Sequence, residues 1–177
     1  IWVAHAGESR FQEEDTLEIL AKKYDVIVFK HCFPVATIKK EGSPGDVNGE
    51  EKTLANYKLQ YEALKKKMLS FPKTKFIVWT GAALTRGNSN ERSAKLASEF
   101  FSWVKKEWDA KGDNIFVWDF NELETDGGLY LKDEYAASPT DSHPNKEFSA
   151  RVAPLFCQRL VDVISGKGDS GSLTGKQ

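Results

Sequence analysis

The chain is poor in several things, and each shortage narrows its class. It has two cysteines, Cys32 and Cys157, in 177 residues, too few for a disulfide framework. Its formal net charge is −1, which argues against a sequence-independent grip on nucleic acid, since that needs a strongly basic face. Its longest apolar runs are strand-sized, so no segment approaches the roughly 20 residues a bilayer span needs. It has three histidines, so each one carries weight. The first residue is Ile1 rather than Met, and an upstream segment, a signal peptide or a tag, is expected to have been removed. The compartment is left open.

What is present describes one globular domain. Hydrophobic residues make up 40% and charged residues 29%, with five Trp and eleven Phe for a core. A chain of about 150 ordered residues buries some two-thirds of its unfolded surface, so no metal or disulfide staple is needed.

Strand-length apolar runs alternate with helical patterns. Ile1 to Ala4 reads as a first strand, Asp25 to Phe29 as a second that is apolar on both faces, Lys75 to Trp79 as a third and Asn114 to Trp118 as a fourth. Between them, Thr16 to Tyr24, Leu54 to Leu69 and Asn90 to Trp108 carry apolar residues at helical spacing, and Val152 to Ile164 closes the fold. Lys39 to Glu51 reads as a long polar loop, and Ser165 to Gln177 as a flexible Gly/Ser/Lys-rich tail outside a domain of residues 1–164. Buried strands alternating with helices predict an α/β fold, a three-layer α/β/α sandwich around a parallel sheet of four to five strands.

In such folds ligands sit outside the carboxyl ends of the strands. His5 and Gly7 follow the first strand, Lys30, His31 and Cys32 the second, and Thr80 and Gly81 the third. The remaining histidine lies in Asp141-Ser142-His143-Pro144-Asn145, a polar turn ahead of an apolar helical run. A parallel sheet would bring all three histidines to one edge.

Three chemistries fit that edge. In the first, Ser9 is a nucleophile, His143 its base and Asp141 the group that orients the imidazole, with Gly7 giving close backbone approach for an oxyanion. The second is a metal site from His5, His31 and His143, which no helical spacing of ligands supports. The third is Cys32 acting beside His31, although neighbours on a strand point to opposite faces and a small buried hydrophobe explains Cys32 as well. No cofactor is called for by any motif.

The first chemistry coincides with a family pattern. The order of elements, the Asp25-Val26-Ile27-Val28-Phe29 strand and the Asp141-Ser142-His143-Pro144-Asn145 end block resemble the SGNH (GDSL-like) hydrolases, over nearly all of residues 1–164. The resemblance implies a flavodoxin-like sandwich and a serine esterase acting through an acyl-enzyme. It places Gly7-Glu8-Ser9 where that family reads Gly-Asp-Ser, and His143 as its base. The departures are specific. The family's acid stands three residues before its histidine, where this chain has Thr140, and Asp141 stands two before. The family's Gly-x-Asn is replaced by Lys30-His31-Cys32-Phe33-Pro34, so His31 or Lys30 would have to help the backbone near Ser9 and Gly81 hold an oxyanion. The expected substrate is a small-molecule or carbohydrate ester such as an O-acyl sugar, from family habit and from Tyr130 and Tyr135 ahead of the end block. The other class left open is a catalytically silent binding or assembly module of the same fold. Gly168-Asp169-Ser170 spells the nucleophile motif but follows a helix rather than a strand, and is set aside.

Overall fold

A computed structural model describes residues 1–43 and 45–177. Three parallel strands form its sheet, in the order β1 (Val26–Lys30), β2 (Lys75–Trp79) and β3 (Ile115–Trp118). Their side chains alternate between two cores. Phe76, Val78, Ile115 and Val117 face α2 (Leu54–Leu69) and α3 (Glu91–Trp103), where Tyr57, Tyr61, Phe100 and Phe101 pack. Ile77, Phe116 and Trp118 face α4 (Phe120–Thr125) and α5 (Lys146–Ile164), which supply Phe120, Phe148, Val152 and Val163. Helices therefore cover both faces of a parallel sheet, an α/β arrangement. No helix among the described residues is long and apolar enough to cross a membrane.

The helix boundaries follow their caps. The Thr53 hydroxyl accepts from Asn56 N at 3.1 Å, Asn90 Oδ1 from Ser93 N at 2.9 Å, and Asn145 Oδ1 from Phe148 N at 2.8 Å. That last cap starts α5 at Lys146, six residues ahead of the Val152 expected from the apolar pattern. After Trp103 the third helix widens into a π turn over Val104–Trp108.

The largest departure from the expected sheet is at its start. Ile1 to Ala4 forms a turn closed by His5 N on Ile1 O at 3.0 Å, not a strand. Gly7 has φ +147°, and its carbonyl accepts from the Thr16 hydroxyl at 2.5 Å at the entry to α1 (Leu17–Lys23). Among the described residues the sheet consequently has three strands where four to five were expected. β1 is one of its two edges, and Val28 on it is 36% exposed although its apolar run is expected to be buried on both faces.

A second sheet, absent from the sequence reading, pairs β4 (Ala136–Ser138) with β5 (Asp141–Pro144) in antiparallel sense. The last residues do not trail away either. Arg159, 1% exposed, donates to Val117 O at 2.8 Å and Gly168 O at 2.6 Å. Beyond it Leu173 O accepts from Asp119 N at 2.8 Å and Thr174 O from the Trp118 indole at 3.2 Å. A buried guanidinium needs acceptors, and the chain after α5 turns back to supply one. Gly168 can lie there because a Cβ would meet the Phe116 ring at 2.4 Å.

Candidate active site

The β4–β5 hairpin presents the end block, and its bracing comes from the loop that leaves β2. Thr85 N donates to the Ser142 hydroxyl at 3.0 Å, and the Thr85 hydroxyl to Pro139 O at 2.9 Å. Asn88 Nδ2 donates to Thr140 O at 2.8 Å and to the Ser142 hydroxyl at 3.1 Å. On the other side Asn145 Nδ2 donates to Glu134 O at 2.8 Å. Ser142 is buried while Asp141 and His143 on either side of it are exposed, as alternation along a strand requires.

That alternation answers the question of spacing. Residues two apart on a strand share a face, so Asp141 reaches His143 across one residue without the three-residue interval the resemblance implies. Asp141 Oδ1 lies 2.6 Å from His143 Nδ1 and accepts the His143 backbone N–H at 3.0 Å. The backbone N–H, then the imidazole, hold the Asp141 carboxyl below its ordinary value. Both side chains face solvent, and the imidazole stands edge-on to Phe33, with ring centres 5.2 Å apart at 89°. Phe33 opens a 3-10 turn (Phe33–Thr37) headed by Cys32, directly after β1. The dyad is therefore at the carboxyl end of the parallel sheet.

The other expected residues lie around it with distinct environments. Ser9 is exposed in the amino-terminal loop, and among the described residues no hydrogen bond joins it to His143. His5, also exposed, stacks on Phe11 at 3.5 Å. His31 is enclosed by tyrosines, edge-on to Tyr57 at 5.3 Å and stacked on Tyr61 at 5.9 Å, and burial pulls its pKa down to about 4. Lys30 lies over the Trp79 ring at 5.2 Å. The three histidines thus have separate partners, and among the described residues no group of three or more His, Cys, Asp or Glu could hold a metal ion. Cys32 and Cys157 are both free thiols. Ser170 donates to Lys167 O at 3.3 Å within the carboxyl-terminal segment.

Two groups at this edge carry no signal in the sequence. Glu124 is fully buried, accepts from Ala83 N at 2.6 Å through Oε1, and among the described residues has no hydrogen-bond partner for Oε2. Burial pushes its carboxyl well above the ordinary range, against the Ala83 N–H, which favours the charged form. Gly81 is required above it, since a Cβ at its φ of +121° would meet Glu124 Oε1 at 2.9 Å. Phe33 is the other, because contact with His143 depends on a pairing 110 residues distant in the chain. Tyr130 and Tyr135 are half-buried rather than exposed. Arg86 covers Tyr130 at 4.4 Å, while Tyr135 stacks on Phe148 at 4.6 Å and meets Arg151 at 4.2 Å, the guanidinium also lying 5.1 Å from the Phe148 ring.

The fold and the site together define an α/β protein with an Asp–His pair at the carboxyl edge of its sheet. Compared with protein-family models, curated proteins and solved structures, the chain gives no match.

Proposed function

We propose that the chain is a divergent SGNH-like hydrolase that cleaves an ester through an acyl-enzyme, with the three-stranded sheet as the centre of a flavodoxin-like sandwich. The observation that carries this reading is the 2.6 Å contact between Asp141 and His143 Nδ1, which fixes one tautomer and leaves Nε2 as the proton acceptor. In this reaction Ser9 Oγ attacks the acyl carbonyl while His143 Nε2 takes its proton. Collapse of the tetrahedral intermediate expels the alcohol, which receives that proton, and water then repeats the sequence to release the acid. Backbone N–H groups near Gly7 and Gly81, with His31 and Lys30, hold the oxyanion. A neutral His31 supplies a hydrogen-bond donor without a charge. The substrate class is a small ester, such as an O-acyl group on a carbohydrate.

A second reading, a silent binding module, is favoured by Phe33. Its ring stands edge-on to the imidazole, and among the described residues no hydrogen bond joins Ser9 to His143. A fluorophosphonate probe separates the two. The hydrolase reading expects labelling at Ser9 that His143→Ala abolishes; a folded protein that stays unlabelled at Ser9 supports the silent module.

A further inference from the structure

Three pieces of chain meet at Glu124, which lies on α4. Its side chain accepts from Ala83 N at 2.6 Å in the loop leaving β2, and its backbone carbonyl from Lys132 N at 3.1 Å in the segment that enters the hairpin. Those two segments are also tied to each other, by Leu131 N on Leu84 O at 3.0 Å. Ala83, Leu131 and Ala136, the first residue of β4, are buried together there. The loop lies close on α4, since a Cβ at Gly81 would meet Glu124 Oε1 at 2.9 Å and Phe120 Cδ1 at 3.1 Å. Two residues past Ala83, Thr85 N donates to the Ser142 hydroxyl at 3.0 Å, and Ser142 stands between Asp141 and His143. A path of printed contacts therefore leads from a buried carboxyl to the dyad: α4 to loop, loop to hairpin.

From this path we infer that Glu124 is a positioning residue, which sets where the hairpin holds Asp141 and His143 by fixing the β2 exit loop. Packing alone asks for less. A carboxyl sealed from water is costly to bury, and an apolar side chain of similar volume would fill the space without that cost. What the carboxyl adds is an acceptor aimed at one backbone N–H. Without it Ala83 N is a buried donor lacking its partner, and the loop must shift to satisfy it. Thr85 would pass that shift to Ser142, and so to the residues on either side of it. A displacement of about 1 Å at a reacting group costs on the order of 10² in rate. As a role in ester cleavage this inference rests on the hydrolase reading. As a role in holding the Asp141–His143 pair it stands apart from that reading.

The test compares two variants of the whole chain. Glu124→Gln keeps an oxygen for Ala83 N, whereas Glu124→Leu fills the space and removes the acceptor. The reporters are the ring nitrogen NMR shifts of His143, which show how far one tautomer predominates, and amide exchange at Ala83 and Thr85. Glu124→Leu should speed exchange at both amides about tenfold or more, as loss of a buried hydrogen bond implies. It should also move the His143 shifts toward a mixture of tautomers, while Glu124→Gln leaves them at wild-type values. Fluorophosphonate labelling at Ser9 should slow about tenfold or more in Glu124→Leu alone. Wild-type His143 shifts in a folded Glu124→Leu would overturn the positioning role, and so would a Glu124→Gln that behaves like Glu124→Leu. If Glu124→Leu does not fold, the wild type decides. Its Ala83, Thr85, Leu131 and Lys132 amides should open with one denaturant dependence, and separate ones would overturn the role. A wild type that stays unlabelled would strike the hydrolase reading and leave the His143 shifts to decide on Glu124.

Discussion

His31 and His143 stand at the same edge of one sheet, and their surroundings give them opposite chemistry. His31 follows β1 into an aromatic enclosure, where Tyr57 and Tyr61 offer ring faces and no carboxylate, and burial keeps it neutral down to about pH 4. His143 stands on an exposed hairpin with Asp141 at 2.6 Å, so a cation formed there has a counter-charge and access to water. An imidazole that must gain and lose a proton needs the second environment; one that must hold a single state needs the first. The same side chain is therefore assigned to wall or to catalysis by what packs around it.

The comparison breaks most visibly at Asp141. Asp141→Asn keeps the shape but cannot hold the imidazole in the required tautomer, and turnover of an aryl ester should fall by about 10²–10⁴. Initial rates for wild type and variant check this, and equal rates would detach Asp141 from the mechanism.

The His31 side is read through pH and stability. In the unfolded chain this imidazole gains a proton below about 6.5, whereas in the folded protein it does so only near 4. The unfolded state thus binds more protons between those values, and stability should drop as pH falls from 6.5 toward 4, by at most about 3 kcal/mol. Urea melts of wild type and His31→Gln across that window should converge at low pH. Parallel curves would show that His31 titrates in both states alike.

Smaller effects sharpen the hairpin's side. Ser142→Ala leaves Thr85 N without its acceptor and should cost about 1–3 kcal/mol in a melt. The loss should appear first as faster amide exchange at Thr85. Phe33→Ala removes one edge-on contact with His143, worth about 0.5–1.5 kcal/mol. It should also raise probe labelling if the ring obstructs the site, and leave it unchanged if it does not.

Much of the scaffold could be read from residue pattern. Lys75–Trp79 and Leu54–Leu69 have the bounds that their apolar spacing indicates, because period and burial agree there. The amino-terminal run Ile1-Trp2-Val3-Ala4 has strand composition, yet it turns, since Trp2 is taken up by Phe29 and His5 N closes on Ile1 O. In the site, the Asp141–His143 pairing was visible as residue types but not as geometry. The hairpin that aligns them depends on Thr85 and Asn88, more than fifty residues earlier. Glu124 was invisible for the same reason: its role depends on Ala83 N, which no local pattern indicates.

The hairpin has one consequence for how the dyad tolerates change in length. Because Asp141 and His143 meet through the two-residue repeat of β5, a residue inserted between them would send the carboxylate and the imidazole to opposite faces. A residue inserted ahead of Asp141 would turn both together and keep them paired. Chains descended from a common ancestor with this one should therefore hold the Asp-x-His interval constant. A search for relatives keyed to an acid three positions before the histidine would pass them by.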